Sequence, residues 1–162
     1  MKLASGTARV AEMLKKELTV GLGTDGCASN NNLDLFKEMD TAAKLDKVRT
    51  LDPVNMGAMT VLKMATVWGA KVLGLDKEIG TIEVGKKADL ITIDLAKPHL
   101  VPLYNPYSHL VYAANGADVK NVFINGRLVM KDRRLLTLNE EAIMAKVCQI
   151  AERIRHSLAT PA

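Results

Sequence analysis

The chain has 162 residues, of which 48% are apolar and 25% charged, the balance of a globular protein and not of a disordered or collagenous one. The net charge of +4 is scattered, with no basic stripe interleaved with aromatics, so nucleic-acid binding has little support, and no apolar run approaches the ~18 residues of a membrane span. Aromatics are 4% against 8 methionines, so the core must be mostly Leu, Val, Ile, Ala and Met.

Apolar residues at Val10, Ala11, Leu14 and Leu18 predict a helix over 7–18, with Arg9, Glu12, Lys15 and Lys16 on its other face. Thr19-Val20-Gly21-Leu22-Gly23 is short, apolar and β-capable, and it ends at Thr24-Asp25-Gly26. A helix feeding a short buried strand is the αβ half of an α/β repeat. Residues 28–32 are a polar loop in which Asn31 or Asn32 can cap the next helix. That helix is expected over 33–50, broken by Asp52-Pro53. A second and well-buried one is expected over 56–73, with Gly74 as its C-cap.

At Gly80 the period changes from helical to β. Residues 88–95 alternate like a strand, and residues 108–114 read as a short helix. Asn125-Gly126 between the apolar runs 119–124 and 127–130 is a type I′ hairpin signal. A last helix over 137–158 carries an apolar seam, Ile143, Val147, Ile150, Ile154 and Leu158, behind a Thr137-x-x-Glu140 capping-box pattern, and residues 159–162 should fray. The chain divides into three units: 1–78, 79–136 and 137–162.

Asp25 is the residue to weigh. It comes directly after the apolar strand and before Gly26, so it projects from the strand's C-terminal end. In barrel enzymes that is the catalytic face. A carboxylate there can bind a divalent metal through oxygen and take a proton from a metal-bound water. Equally, Asp-Gly is a turn, and turn chemistry alone explains it. His99, His109 and His156 are isolated and form no metal set, and zinc sites need three or four protein ligands. Cys27 and Cys148 stand in no metal or redox spacing and read as reduced packing cysteines of a cytoplasmic protein.

The run Gly23-Thr24-Asp25-Gly26-Cys27-Ala28-Ser29-Asn30-Asn31-Asn32-Leu33-Asp34-Leu35-Phe36-Lys37-Glu38-Met39 resembles the metal-dependent amidohydrolase superfamily. Within it the resemblance is to the 5-methylthioadenosine/S-adenosylhomocysteine deaminases and their chlorohydrolase-like relatives. Residues 1–6, 65–74, 80–90, 105–112 and 122–127 continue the likeness, so it covers nearly the whole chain. The resemblance implies an α/β fold: the C-terminal part of a (β/α)8 barrel metallo-hydrolase, part of a small β-sandwich, and a closing helix. A complete barrel needs ~200 residues or more. Residues 19–24 would be the eighth strand. Asp25 would be the aspartate that binds one divalent metal, usually zinc, accepts the proton of the attacking water and contacts the substrate. Asn30, on the same face, would line a nucleoside pocket or serve as a helix cap. His109 matches a histidine of the family motif, with a packing or hydrogen-bonding role.

The implied reaction is hydrolytic deamination of a purine nucleoside. The family's His-x-His pair, its further histidines and its substrate-ring glutamate are absent, so the ligand set is incomplete and the chain alone is expected to be inactive. An s-triazine or guanine-type hydrolase of the same group is an alternative. A stand-alone, non-catalytic binding module and one half of a split enzyme are others. Faces of residues 33–73 stripped of barrel neighbours predict a homo-oligomer or pairing with a missing N-terminal half.

Overall fold

The computed structural model describes residues 3–159. Helix α1 (Val10–Lys15) is shorter than its periodicity predicts. Glu17 adopts a left-handed φ of 59°, and Leu18 N–H donates to the Met13 carbonyl while Glu17 N–H donates to that of Leu14. That is a Schellman closure, and it stops the helix before Leu18.

Residues 19–24 run extended but form no ladder, which corrects the expected strand. A strand needs a neighbour to pair with, and among the described residues the only sheet lies elsewhere. The segment lies instead on a helix pair. Leu22 N–H donates to the Met64 carbonyl at 3.1 Å. Gly21 sits so close to Gly69 that a Cβ on Gly21 would stand 3.2 Å from the Gly69 Cα.

This contact also explains why the helix expected over 56–73 is two helices, α4 (Ala58–Ala65) and α5 (Val67–Val72). Thr66 leaves the helical region, with φ −129° and ψ −94°, and the Met64 carbonyl is given to Leu22. Val61, Met64 and Ala70 are buried, but Met59, Val67 and Val72 are exposed, so burial is one-sided and not general. Gly74 closes α5 as expected, with Leu75 N–H on the Ala70 carbonyl and Gly74 N–H on that of Lys71.

Between these elements, α2 (Cys27–Asn30) is a single turn inside the stretch expected to be loop, and α3 (Leu35–Thr50) matches the predicted helix closely. Neither Asn31 nor Asn32 caps α3. Asp34 does, accepting from Phe36 N–H at 3.0 Å, because it is the residue directly before the first helical turn. Met39, Ala43 and Asp46 form the buried face of α3, and Val48 faces solvent. The core joins Met39 and Ala43 to Met56, Val61, Met64 and Val111, with Val10, Leu14, Val20, Leu22, Phe36 and Trp68 around it. Val111 comes from α6 (Pro106–Tyr112), whose Asn105 cap accepts from Ser108 N–H.

Residues 80–87 form turns and no strand, as Lys86 reaches back to the Asp76 carbonyl and the Thr81 hydroxyl. The sheet is an antiparallel meander of β1 (Leu90–Ile93), β2 (Val119–Ile124), β3 (Arg127–Lys131) and β4 (Arg134–Leu135). The β2–β3 turn has φ 49° at Asn125 and 76° at Gly126, the two positive values a type I′ turn requires. Strand β4 lies beyond the predicted elements. Its turn uses Asp132 and Arg133 at φ 46° and 68°, without a glycine to signal it.

Helix α7 (Glu140–Ala159) closes the described chain. Its N-terminus is set by Asn139, whose Oδ1 accepts from Ala142 N–H, and not by the Thr137 box. The seam of Ile143, Val147, Ile150, Ile154 and Leu158 is solvent-exposed. The fraying expected at 159–162 falls largely outside the described residues. Cys27 and Cys148 are free and exposed, so neither packs in a core. No helix among the described residues is long and apolar enough to cross a membrane.

Candidate active-site loop

The extended segment 19–24 delivers Asp25 to an exposed position at its end. Asp25 has a φ of 58°, in the left-handed region. Few non-glycine residues occupy that region, and aspartate is among those that do, because its short carboxylate can bond locally. Here Oδ1 accepts from Gly26 N–H at 2.6 Å. The turn and the projecting carboxylate therefore coexist. The bend is real, and it is what turns Asp25 out of the line of the segment.

Beyond it, Ser29 and Asn30 N–H both donate to the Gly26 carbonyl, at 3.1 and 2.9 Å, and Asn31 N–H donates to that of Cys27 at 2.9 Å. Asn31 closes the turn with φ 66°. The loop is thus a compact turn between two left-handed residues, Asp25 and Asn31. Asn30, half-buried, donates Nδ2 to the Thr24 carbonyl and to Glu38 Oε1, both at 2.7 Å. Asn32 Oδ1 accepts from Asp34 N–H at 3.1 Å. Asp34 in turn accepts from Gly116 N–H at 3.1 Å through Oδ2. Asp25 and Asn30 therefore belong to one loop, but the carboxamide hydrogens of Asn30 are spent on holding it. Glu38 and Asp34 take part in the loop without having been singled out by the sequence pattern. The N-cap preference of aspartate is a usable signal for Asp34, whereas Glu38 reads as one more polar residue on a helix.

The histidines lie elsewhere. His109 Nδ1 pairs with the Asn105 carbonyl at 3.0 Å, and its ring walls an apolar cavity of about 230 Å3 with Ile91, Ile93, Leu95, Leu103 and Leu110. His99 Nε2 lies 3.0 Å from Asp118 Oδ2, and Lys97 Nζ lies 2.9 Å from Oδ1. Burial would raise the Asp118 pKa, but hydrogen bonds from His99, Lys97 and the Asn115 N–H outweigh it and hold the carboxyl at about 2. That cluster ties two 3-10 turns, Pro98–Leu100 and Gly116–Asp118, and is structural. Among the described residues no group of three His, Cys, Asp or Glu side chains could hold a metal ion. Asp25 does not make a metal site by itself.

The profile of the Amidohydrolase family matches residues 1–129. The chain belongs to the amidohydrolase family. This amidohydrolase chain is 66% identical over 161 residues to a 5-methylthioadenosine/S-adenosylhomocysteine deaminase of Syntrophus aciditrophicus, covering 99% of the chain and 36% of that protein. It is 51% identical over 154 residues to a 5'-deoxyadenosine deaminase of Methanosarcina mazei, covering 95% of the chain and 35% of that protein. A crystal structure of a Xanthomonas campestris adenosine deaminase with bound zinc superposes with a TM-score of 0.93 at 41% identity, over 96% of this chain and 35% of that one. The atrazine chlorohydrolase TrzN of Arthrobacter aurescens, complexed with zinc, gives 0.81 at 27% identity, over 89% of this chain and 32% of that one. The amidohydrolase chain thus spans about a third of the length of the proteins it matches.

Proposed function

We propose that this chain supplies the C-terminal portion of a zinc-dependent deaminase that removes the purine amino group of a methylthioadenosine- or S-adenosylhomocysteine-like nucleoside, in the cytoplasm. Asp25 is its contribution to the metal and to proton transfer. The observation that carries the reading is the exposed Asp25 carboxylate, turned out of the end of an extended apolar segment in a left-handed conformation, within a stretch 66% identical to a deaminase. Zinc, when bound, lowers the pKa of a water and polarises the bond under attack.

One carboxylate cannot hold that ion, since zinc takes three or more protein ligands at a catalytic site. The missing ligands must come from residues other than those described. The loop's own part is to present the carboxylate in one orientation, fixed by Gly26 N–H. Asn30 supports the loop through the Thr24 carbonyl and Glu38; toward a nucleoside it has its carbonyl oxygen to offer, both amide hydrogens being committed. A deaminase is favoured over an s-triazine hydrolase by the higher identity and TM-score of the deaminase relatives. On this reading residues 1–78 are the C-terminal part of the barrel, 79–136 part of the sandwich, and 137–162 the closing helix and tail.

The test is a graft. This chain replaces the matched segment of the Syntrophus aciditrophicus deaminase, and ammonia release from 5'-methylthioadenosine is measured with zinc present. The graft is expected to turn over, and the isolated chain with zinc is not. Turnover by the isolated chain, or an inactive but folded graft, contradicts the proposal.

A further inference from the structure

We infer that Glu38 is a positioning residue for Asp25, acting through the carboxamide of Asn30. The functional half of this inference rests on the assignment of Asp25 to the metal; the loop-holding half does not. Thr24 directly precedes Asp25, and its carbonyl lies in the same rigid peptide plane as the Asp25 nitrogen. Anchoring that oxygen sets the orientation of the plane, and with it the φ of 58° that aims Asp25. The anchor is Asn30 Nδ2, 2.7 Å away.

Asn30 could rotate out of this role were its second amide hydrogen unheld. Glu38 Oε1 accepts it at 2.7 Å. A carboxylate is a stronger acceptor than a neutral group. Glu38 is half-buried on α3, one turn beyond the Asp34 cap that also holds Gly116. The chain of contacts therefore runs from a rigid helix, through a carboxamide, to the peptide before the reactive carboxylate. Support of this kind keeps a loop-borne group within the narrow geometry that chemistry needs.

Amide hydrogen exchange on the 162-residue chain tests the loop-holding half. E38A is expected to speed exchange of the Ser29, Asn30 and Asn31 amides about tenfold, the effect of losing one hydrogen bond to a charged acceptor, and N30D, which loses both Asn30 bonds and faces Glu38 with a like charge, by more than that. E38Q keeps an acceptor oxygen at the same place and stays within about threefold of wild type, and the β2–β3 hairpin is unchanged throughout. In the graft, E38A is expected to lower retained zinc and to reduce kcat about tenfold with little change in KM, and E38Q to restore most of both. Exchange at residues 29–31 that ignores E38A, or E38Q as damaging as E38A, overturns the inference. If exchange responds as expected while zinc and kcat do not move, the loop-holding role of Glu38 stands and its positioning of Asp25 fails, and Asp25→Asn in the same graft reads the metal assignment separately.

Discussion

Asp34 and Gly116 are 82 residues apart in sequence, and Gly116 N–H donates to Asp34 Oδ2 at 3.1 Å. The other oxygen of Asp34 caps α3, so one carboxylate both starts the helix beneath the Asp25 loop and fastens it to the turn that leads into β2. A Cβ on Gly116 would meet that same oxygen at 3.2 Å. Asp34→Ala removes cap and tie together and is expected to cost about 2–3 kcal/mol. Asp34→Asn keeps a capping oxygen but turns a donor toward Gly116 N–H if the cap is kept, and should cost about 1–2 kcal/mol. Gly116→Ala forces the carboxylate to yield and should fall between wild type and Asp34→Ala. Urea denaturation of the three variants checks the order.

Asp118 predicts a pH effect of definite sign. It is 2% exposed, and its pKa is held near 2, below the unfolded value. Its contribution to stability is therefore complete above the unfolded carboxyl pKa and is lost as pH falls through about 4 toward 2. Asp118→Asn should lower stability at pH 7 by about 2 kcal/mol, less than for a fully buried ion pair because Lys97 and His99 remain partly in water. The gap between the variant and wild type should narrow on acidification over that window. Acid titration of urea midpoints for both proteins is the measurement. A gap constant from neutral pH down to the acid end would mean that the charge of Asp118 is not what matters.

The hairpin turn gives a local prediction. Gly126 has φ 76° and nothing within 4 Å of where a Cβ would stand, so its substitution tests backbone conformation alone. Gly126→Ala should cost about 1–2 kcal/mol from the left-handed penalty. Asn125→Gly, at φ 49°, should be neutral within about 0.5 kcal/mol. Thermal unfolding of the two variants separates them.

Leu51 and Val54 are 88% and 82% exposed, beside exposed Val48, and the α7 seam is open along its length. Apolar surface of this kind drives association. The isolated chain should be larger than its 17.6 kDa in light scattering. A strictly monomeric species at high protein concentration would contradict this.

Much of the fold is legible where local chemistry decides it. Asn125-Gly126 declares a type I′ turn, and the helix expected over 33–50 forms as α3. What escapes is decided by distant partners or by residues that carry no signal. Thr66 breaks a continuous helical pattern where the Met64 carbonyl belongs to Leu22, 42 residues upstream. Residues 19–24 have a strand's composition and, among the described residues, no strand beside them to pair with. The α1 stop at Glu17 and the turn at Asp132-Arg133 use left-handed conformations without glycine. At the candidate site, Asp25 is legible from its place after the apolar run. Glu38 is not, since only the folded loop brings Asn30 between it and Thr24.

The metal-binding role of Asp25 is tested most directly by Asp25→Asn in the grafted deaminase, read as zinc per chain and as turnover of 5'-methylthioadenosine. The substitution leaves an oxygen for the Gly26 N–H and removes the charge and basicity. Zinc retention should fall and turnover should drop by about a thousandfold or more, consistent with loss of both a metal ligand and a proton acceptor. Full zinc occupancy with turnover within a few-fold of the parent graft would show that Asp25 is only the first residue of a turn.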